Sequence, residues 1–177
     1  MSEYGVFSDR QSIRFERVLP GPIERVWAYI TESEKRATWL ARGPMDLRVG
    51  GEVALTWHHS ELSAEKQAPP HYQKYEGCSL VGRITRCEPP RLLSFTWPEE
   101  SGHESEVSFE LTPRGNDVVL VLAHRRLGDA KTLLSVSGGW HTHVDILVDQ
   151  LNGNEPRPFW TTHERLAAEY KQRLGAG

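Results

Sequence analysis

Apolar and polar residues alternate along much of this chain with a period of two, and three stretches switch to the period of a helix. In residues 12–19, Ile13, Phe15, Arg17 and Leu19 share one face, mostly apolar, which predicts a half-buried strand. Pro20-Gly21-Pro22 stops it. Ile23, Val26, Trp27 and Ile30 follow at i, i+3, i+4 and i+7, so a helix is expected there, with Pro22 in its first turn and a second short helix ending at Trp39. Residues 45–49 and 53–57 read as a hairpin across Gly50-Gly51. The polar stretch 58–74, with Pro69 and Pro70, reads as a long exposed loop, of the kind that is functional or mobile.

Strands resume at 77–87 and 92–97, the second with Leu93, Phe95 and Trp97 on one side. Residues 104–112 set Val107, Phe109 and Leu111 against Glu106, Ser108 and Glu110, the mark of a sheet with one wet face. A turn at 114–117 leads to 118–125, where Leu120, Leu122 and His124 share a face. After Gly138-Gly139, a helical stripe of Trp140, His143, Val144, Leu147 and Leu151 leaves Asp145 and Asp149 to one side. Asn152-Gly153-Asn154 ends that helix. A last helix carries Phe159, His163, Leu166 and Tyr170 on one side. It starts either at Pro158 or at a capping box of Thr161 and Glu164.

At 177 residues the chain is long enough for one domain with its own core. A net charge of -3 with interspersed signs argues against a nucleic-acid partner, and no apolar run approaches the length of a membrane span. The N-terminus lacks the basic start and apolar core of a signal peptide, so the cytoplasm is expected. Cys78 and Cys87 have neither metal-ligand nor redox spacing and read as reduced thiols.

Several local motifs occur in a telling order. Phe15-Glu16-Arg17 precedes Pro22, then come Val26-Trp27, Thr31, Trp39 and Val49-Gly50-Gly51. Gly82-Arg83-Ile84, Glu88-Pro89-Pro90-Arg91-Leu92, Phe95-Thr96-Trp97, Leu122-Ala123-His124 and Gly139-Trp140 follow. Together they resemble the helix-grip, START-like (SRPBCC, Bet v 1-like) superfamily, in the branch named for activators of the heat-shock-protein 90 ATPase. The resemblance implies an α+β fold of about seven antiparallel strands curved around a long C-terminal helix, plus an extra terminal helix. Residues 1–11 are then an N-terminal tail, 12–152 the grip domain and 153–177 a helical extension packed on it. The superfamily commonly takes apolar or aromatic small molecules into a cavity between sheet and helix. The family name alone does not establish stimulation of an ATPase, so a chaperone partner ranks low. A homodimer stays open.

On that frame Trp39, Trp57, Leu93, Phe95, Trp97, Phe109, Leu122, His124, Trp140, His143 and Leu147 are expected to line the cavity, with Trp39 at its mouth. For any one of these aromatics an ordinary core is the better reading, and only the hollow architecture that the resemblance implies turns the joint set toward ligand lining. His124 should face inward, with His143 as its strongest partner; a satisfied core histidine is the plainer reading, and an acid or base acting on a bound ring the alternative. His141-Thr142-His143-Val144-Asp145 looks like a metal motif, yet on a helix its two imidazoles point apart, so no metal is expected, with His141 solvated and His143 inward. No catalytic nucleophile and no cofactor motif presents itself. The expected role is a binding protein, with a polyketide-cyclase- or isomerase-like enzyme using His124, or a cochaperone-type interaction module, as alternatives.

Overall fold

The computed structural model describes residues 3–175. Its strands are β1 (Val6–Asp9), β2 (Ser12–Pro20), β3 (Glu52–Thr56), β4 (Ser79–Glu88), β5 (Leu92–Pro98), β6 (Glu104–Arg114) and β7 (Asp117–Arg125). They form one seven-stranded antiparallel sheet in the order β1-β2-β7-β6-β5-β4-β3. Helices α1 (Ile23–Thr31) and α2 (Ser33–Arg36) fill the crossover from β2 to β3, and α3 (Ala130–Leu151) and α4 (Phe159–Gly175) close the chain. This is the α+β helix-grip arrangement. The alternating positions explain it: Ile13, Phe15 and Leu19 of β2 and Leu120 and Leu122 of β7 meet Val144 and Leu147 of α3 in one buried core.

Four expectations change. Residues 1–11 are not wholly a tail, because Val6–Asp9 pair with β2 as an edge strand. Residues 45–49 form no strand: only Arg42 and Met45 bridge to Thr56 and Val53. Pro44, which faces Ala54 there, accepts from its N–H but has none to return, so the ladder breaks into single bridges. The long helix starts at Ala130, well before Gly138-Gly139, and Asp129 caps it by accepting from the Thr132 N–H at 2.7 Å. Gly138 lies inside this helix where α4 packs against it; an added Cβ would lie 3.4 Å from Ala167 Cα.

Residues 58–74 are the largest revision. Two short 3-10 helices, His59–Glu61 and Pro70–Tyr75, structure the stretch, and His59, Leu62 and Ser63 are buried. The polarity of the stretch has another use. Ser63 Oγ accepts from the Phe159 N–H at 3.0 Å, and Glu65 accepts from the Thr161 N–H at 3.0 Å and from its hydroxyl. The first turn of α4 is therefore capped by side chains from the loop rather than by a Thr161–Glu164 box.

Arg36, to which the sequence pattern drew no attention, is fully buried without a carboxylate. It donates to the carbonyls of Ile30, Thr31, Ala41 and Gly43, so the negative end of α1 stands in for a counter-ion. Burial lowers its pKa to about 10. This node fixes the chain on either side of Trp39.

Candidate functional site

The eleven residues expected to line a cavity are all in the core or packed against it, and most of the aromatic ones touch. Antiparallel register sets Leu93 beside Phe109, Phe109 beside Leu122, and Phe95 and His124 both beside Val107. Ring centroids lie 5.7 Å apart for Trp57 and Trp97, 6.2 Å for Phe95 and Phe109, 5.4 Å for Trp97 and Trp140, and 5.9 Å for Phe109 and Trp140. These are ordinary packing distances for aromatic pairs. Trp39 is not at a mouth. It is fully buried, donates its Nε1–H to the Tyr29 carbonyl at 2.7 Å and sits edge-on to Phe109.

His124 is satisfied on both sides, and His143 is not its partner. Trp140 Nε1–H donates to His124 Nδ1 at 3.0 Å, which leaves the proton on Nε2 to donate to Ser105 Oγ at 2.7 Å. Ser105 in turn donates to the Trp97 carbonyl. Burial pushes the imidazole down to about 3, so it is neutral. With both nitrogens engaged, it has no free atom to offer a substrate as acid or base. His143 instead donates its Nδ1–H to the Trp39 carbonyl at 2.8 Å, and its ring lies 5.7 Å from that of His59 and 5.0 Å from that of Phe159. Burial lowers it to about 3, with the neighbouring His59 adding to the effect.

The other face of α3 holds the charges. His141 is buried, against the expectation of a solvated ring, because Tyr4, Phe15 and Tyr170 enclose it. Its Nδ1 meets the Tyr170 hydroxyl at 2.8 Å, and that oxygen accepts from the Gly5 N–H at 2.7 Å. His141 Nε2 lies 3.3 Å from Asp145 Oδ2, in poor alignment for a hydrogen bond. Asp145 is clamped by Arg17 at 3.2 Å and Arg157 at 3.1 Å, and Arg157 also grips Asp149 through two nitrogens at 2.8 Å. Burial pushes the Asp145 carboxyl up, but His141 and the two guanidiniums outweigh it and hold the group below its ordinary range.

His141 and His143 thus point into different surroundings, as their helical spacing requires. Ligand atoms of Glu3, His141 and Asp145 do come within 4.8 Å of one another. The two guanidiniums on Asp145 oppose a cation there.

Open hollows lie elsewhere. One cleft of about 450 Å³ runs along Gly21–Glu24 and Pro113–Val118, and a smaller one of about 250 Å³ lies beside Arg86, Arg91 and Glu110.

The ring-filled space between one curved sheet and one gripped helix can now be set beside known proteins. A family model described as "Activator of Hsp90 ATPase homolog 1-like protein" matches residues 20–152. The chain belongs to that family. Among solved structures, a protein from Bordetella parapertussis is 47% identical with a TM-score of 0.84, over 97% of this chain and 90% of that one. CalU16 from Micromonospora echinospora is 27% identical with a TM-score of 0.69, over 93% and 86%. An HSP90 activator from Plasmodium falciparum shares the fold alone, at 17% identity and a TM-score of 0.60, over 81% and 96%. No curated protein matches. The family model ends at residue 152, so α4 and its Phe159, Trp160 and Tyr170 lie beyond it. Among the described residues no helix is long and apolar enough to cross a membrane.

Proposed function

We propose that this Hsp90-activator-like protein binds an apolar or aromatic small molecule between the sheet and α3, and that the arrangement described above is its closed form. One observation carries the reading: the interior is lined with rings, and the one imidazole at its centre is kept neutral by burial, with its two nitrogens bonded to Trp140 and Ser105. Such a lining favours a dry, flat, uncharged guest. Because the rings already touch, a guest enters by displacing side chains such as Trp97, which is only partly buried.

The alternatives have less support. His124 has no free nitrogen for acid or base work. An interaction module would display a broad apolar patch; among the described residues the large apolar side chains that are exposed are Val6, Leu47, Val49 and Val81.

An environment-sensitive apolar dye should bind the native protein saturably, and native mass spectrometry should detect a co-purified small molecule. Leu122→Trp or His124→Trp should weaken dye binding by filling the space. Unchanged dye affinity in a folded Trp variant would remove the guest from this interior.

A further inference from the structure

Residues 58–76 leave the sheet at Trp57 and return at Cys78 through a narrow neck. Trp57 N–H donates to the Cys78 carbonyl at 2.9 Å, and Gly77 N–H donates to the Trp57 carbonyl at 2.7 Å. Gly77 has φ +76°, a left-handed conformation that glycine adopts at little cost. Between those pins the segment lies across the junction of α3 and α4. Its fastenings to α4 are the Ser63 and Glu65 caps, Tyr72 stacked on Trp160 at 5.0 Å, and His71 at 3.6 Å from Glu164.

Three imidazoles sit beneath and beside it. His59 of the segment packs on His143 of α3 and on Phe159 and Trp160 of α4, while His163 of α4 packs on Tyr72 and Trp160. The interior imidazole His124 has both nitrogens bonded, but here His59 Nδ1 and His163 Nδ1 are buried without a partner. A buried unpaired nitrogen favours any conformation that admits water.

We propose that residues 58–76 are a lid that opens when the imidazoles beneath it take up protons. A proton on any of them in the closed form meets rings rather than water, and the neighbouring charges offset it only in part. Glu76, 3.8 Å from His59 Nδ1, favours the charged form, whereas His58, His71 and the imidazoles themselves oppose one another. Glu164 of α4 is held toward His71, and Asp145 of α3 belongs to the opposite helix face. In agreement, burial first of all lowers His59 and His163 to about 4 and His143 to about 3. As the entry route for a guest, the lid rests on the binding reading above; as a moving element it does not.

Native-state hydrogen exchange has built-in reporters, because the amides of Phe159 and Thr161 are bonded to lid side chains. With a solvated imidazole titrating near about 6.5, one ring protonated only in the open form multiplies opening by about thirty-fold between pH 7.5 and 5. Protection of Phe159, Thr161 and Leu62, corrected for intrinsic exchange, should fall by at least that factor while β6 and β7 stay protected. His59→Phe should flatten this dependence, and Ser63→Ala should raise opening at every pH. Protection that is independent of pH, or lost only together with β6 and β7, overturns the lid. Dye association then separates the two ideas: a rate rising with lid opening supports the entry route, an unchanged rate removes that route, and no dye binding removes the binding reading while the exchange result still decides the lid.

Discussion

Helix α3 buries polar groups on two faces, and it treats them in opposite ways. On one, Trp140 and His143 make neutral hydrogen bonds to His124 of β7 and to the Trp39 carbonyl after α2. On the other, Asp145 and Asp149 keep their charges and are enclosed by Arg17 of β2 and by Arg157 of the segment that leads into α4. The apolar face cannot carry a charge without a large desolvation cost, so its imidazoles are neutral. The opposite face offers guanidiniums from β2 and from the chain after α3, so carboxylates survive there. A single helix therefore separates a ring-lined interior from an ionic clasp that holds α3 to β2 and to the segment leading into α4.

The largest effect that could break this comparison is Trp140→Ala. It removes a buried indole, with a loss of about 3 to 5 kcal/mol, and it leaves His124 Nδ1 without a donor. A loss under about 1 kcal/mol in urea unfolding would show that the sheet face does not depend on this ring. Asp145→Asn tests the other face. Stripping the charge from a buried pair strands Arg17, and about 3 kcal/mol should be lost. If Asn at this site is neutral or stabilising, the clasp is dispensable.

Acid should separate the two faces. His59, His124, His143 and His163 have folded pKa values of about 4, 3, 3 and 4, below the ordinary 6.5, so the unfolded chain takes up protons first as the pH drops. Their stabilisation is fully present above pH 6.5 and is lost as the pH falls toward 4 and below. Asp145 is depressed below 3.8, so its contribution persists through that window and is lost only as the pH falls below 3.8 through the folded value. Urea midpoints should accordingly decline between pH 6.5 and 4 in the parent protein and in Asp145→Asn alike. The decline should shrink in His143→Gln; an undiminished decline there would mean that this buried imidazole does not contribute to it. The smallest effect should come from Arg157→Ala. Its side chain is 34% exposed, so a screened loss of about 1 to 2 kcal/mol is expected, eased by added salt. A loss as large as that of Asp145→Asn would make Arg157, not Arg17, the main partner of the carboxylate.

Much of the sheet was legible because a strand's side chains alternate and each central strand here has one apolar face, as in Val107, Phe109 and Leu111. Residues 58–74 were misread for a physical reason. Ser63 and Glu65 look like loop chemistry, but they satisfy the amides that open α4 about a hundred positions later, and no local pattern records an acceptor at that distance. His141 was misplaced similarly. Its position off the apolar stripe was readable, whereas the second layer formed by Tyr4 and Tyr170 that buries it was not. The divergence of His141 from His143 was secure from spacing alone, since helical geometry fixes it without any knowledge of neighbours.

By itself, then, the sequence determined what is local or periodic: the order of the central strands and main helices, the inward faces, the family resemblance and the inward aim of His124. The tertiary structure decided which partners those inward groups meet. It gave His124 to Trp140 and Ser105, His143 to Trp39 and His59, and Asp145 to Arg17 and Arg157. Periodicity tells a side chain which way to face, but a hydrogen bond or an ion pair depends on what another part of the chain brings to within about 3 Å of it.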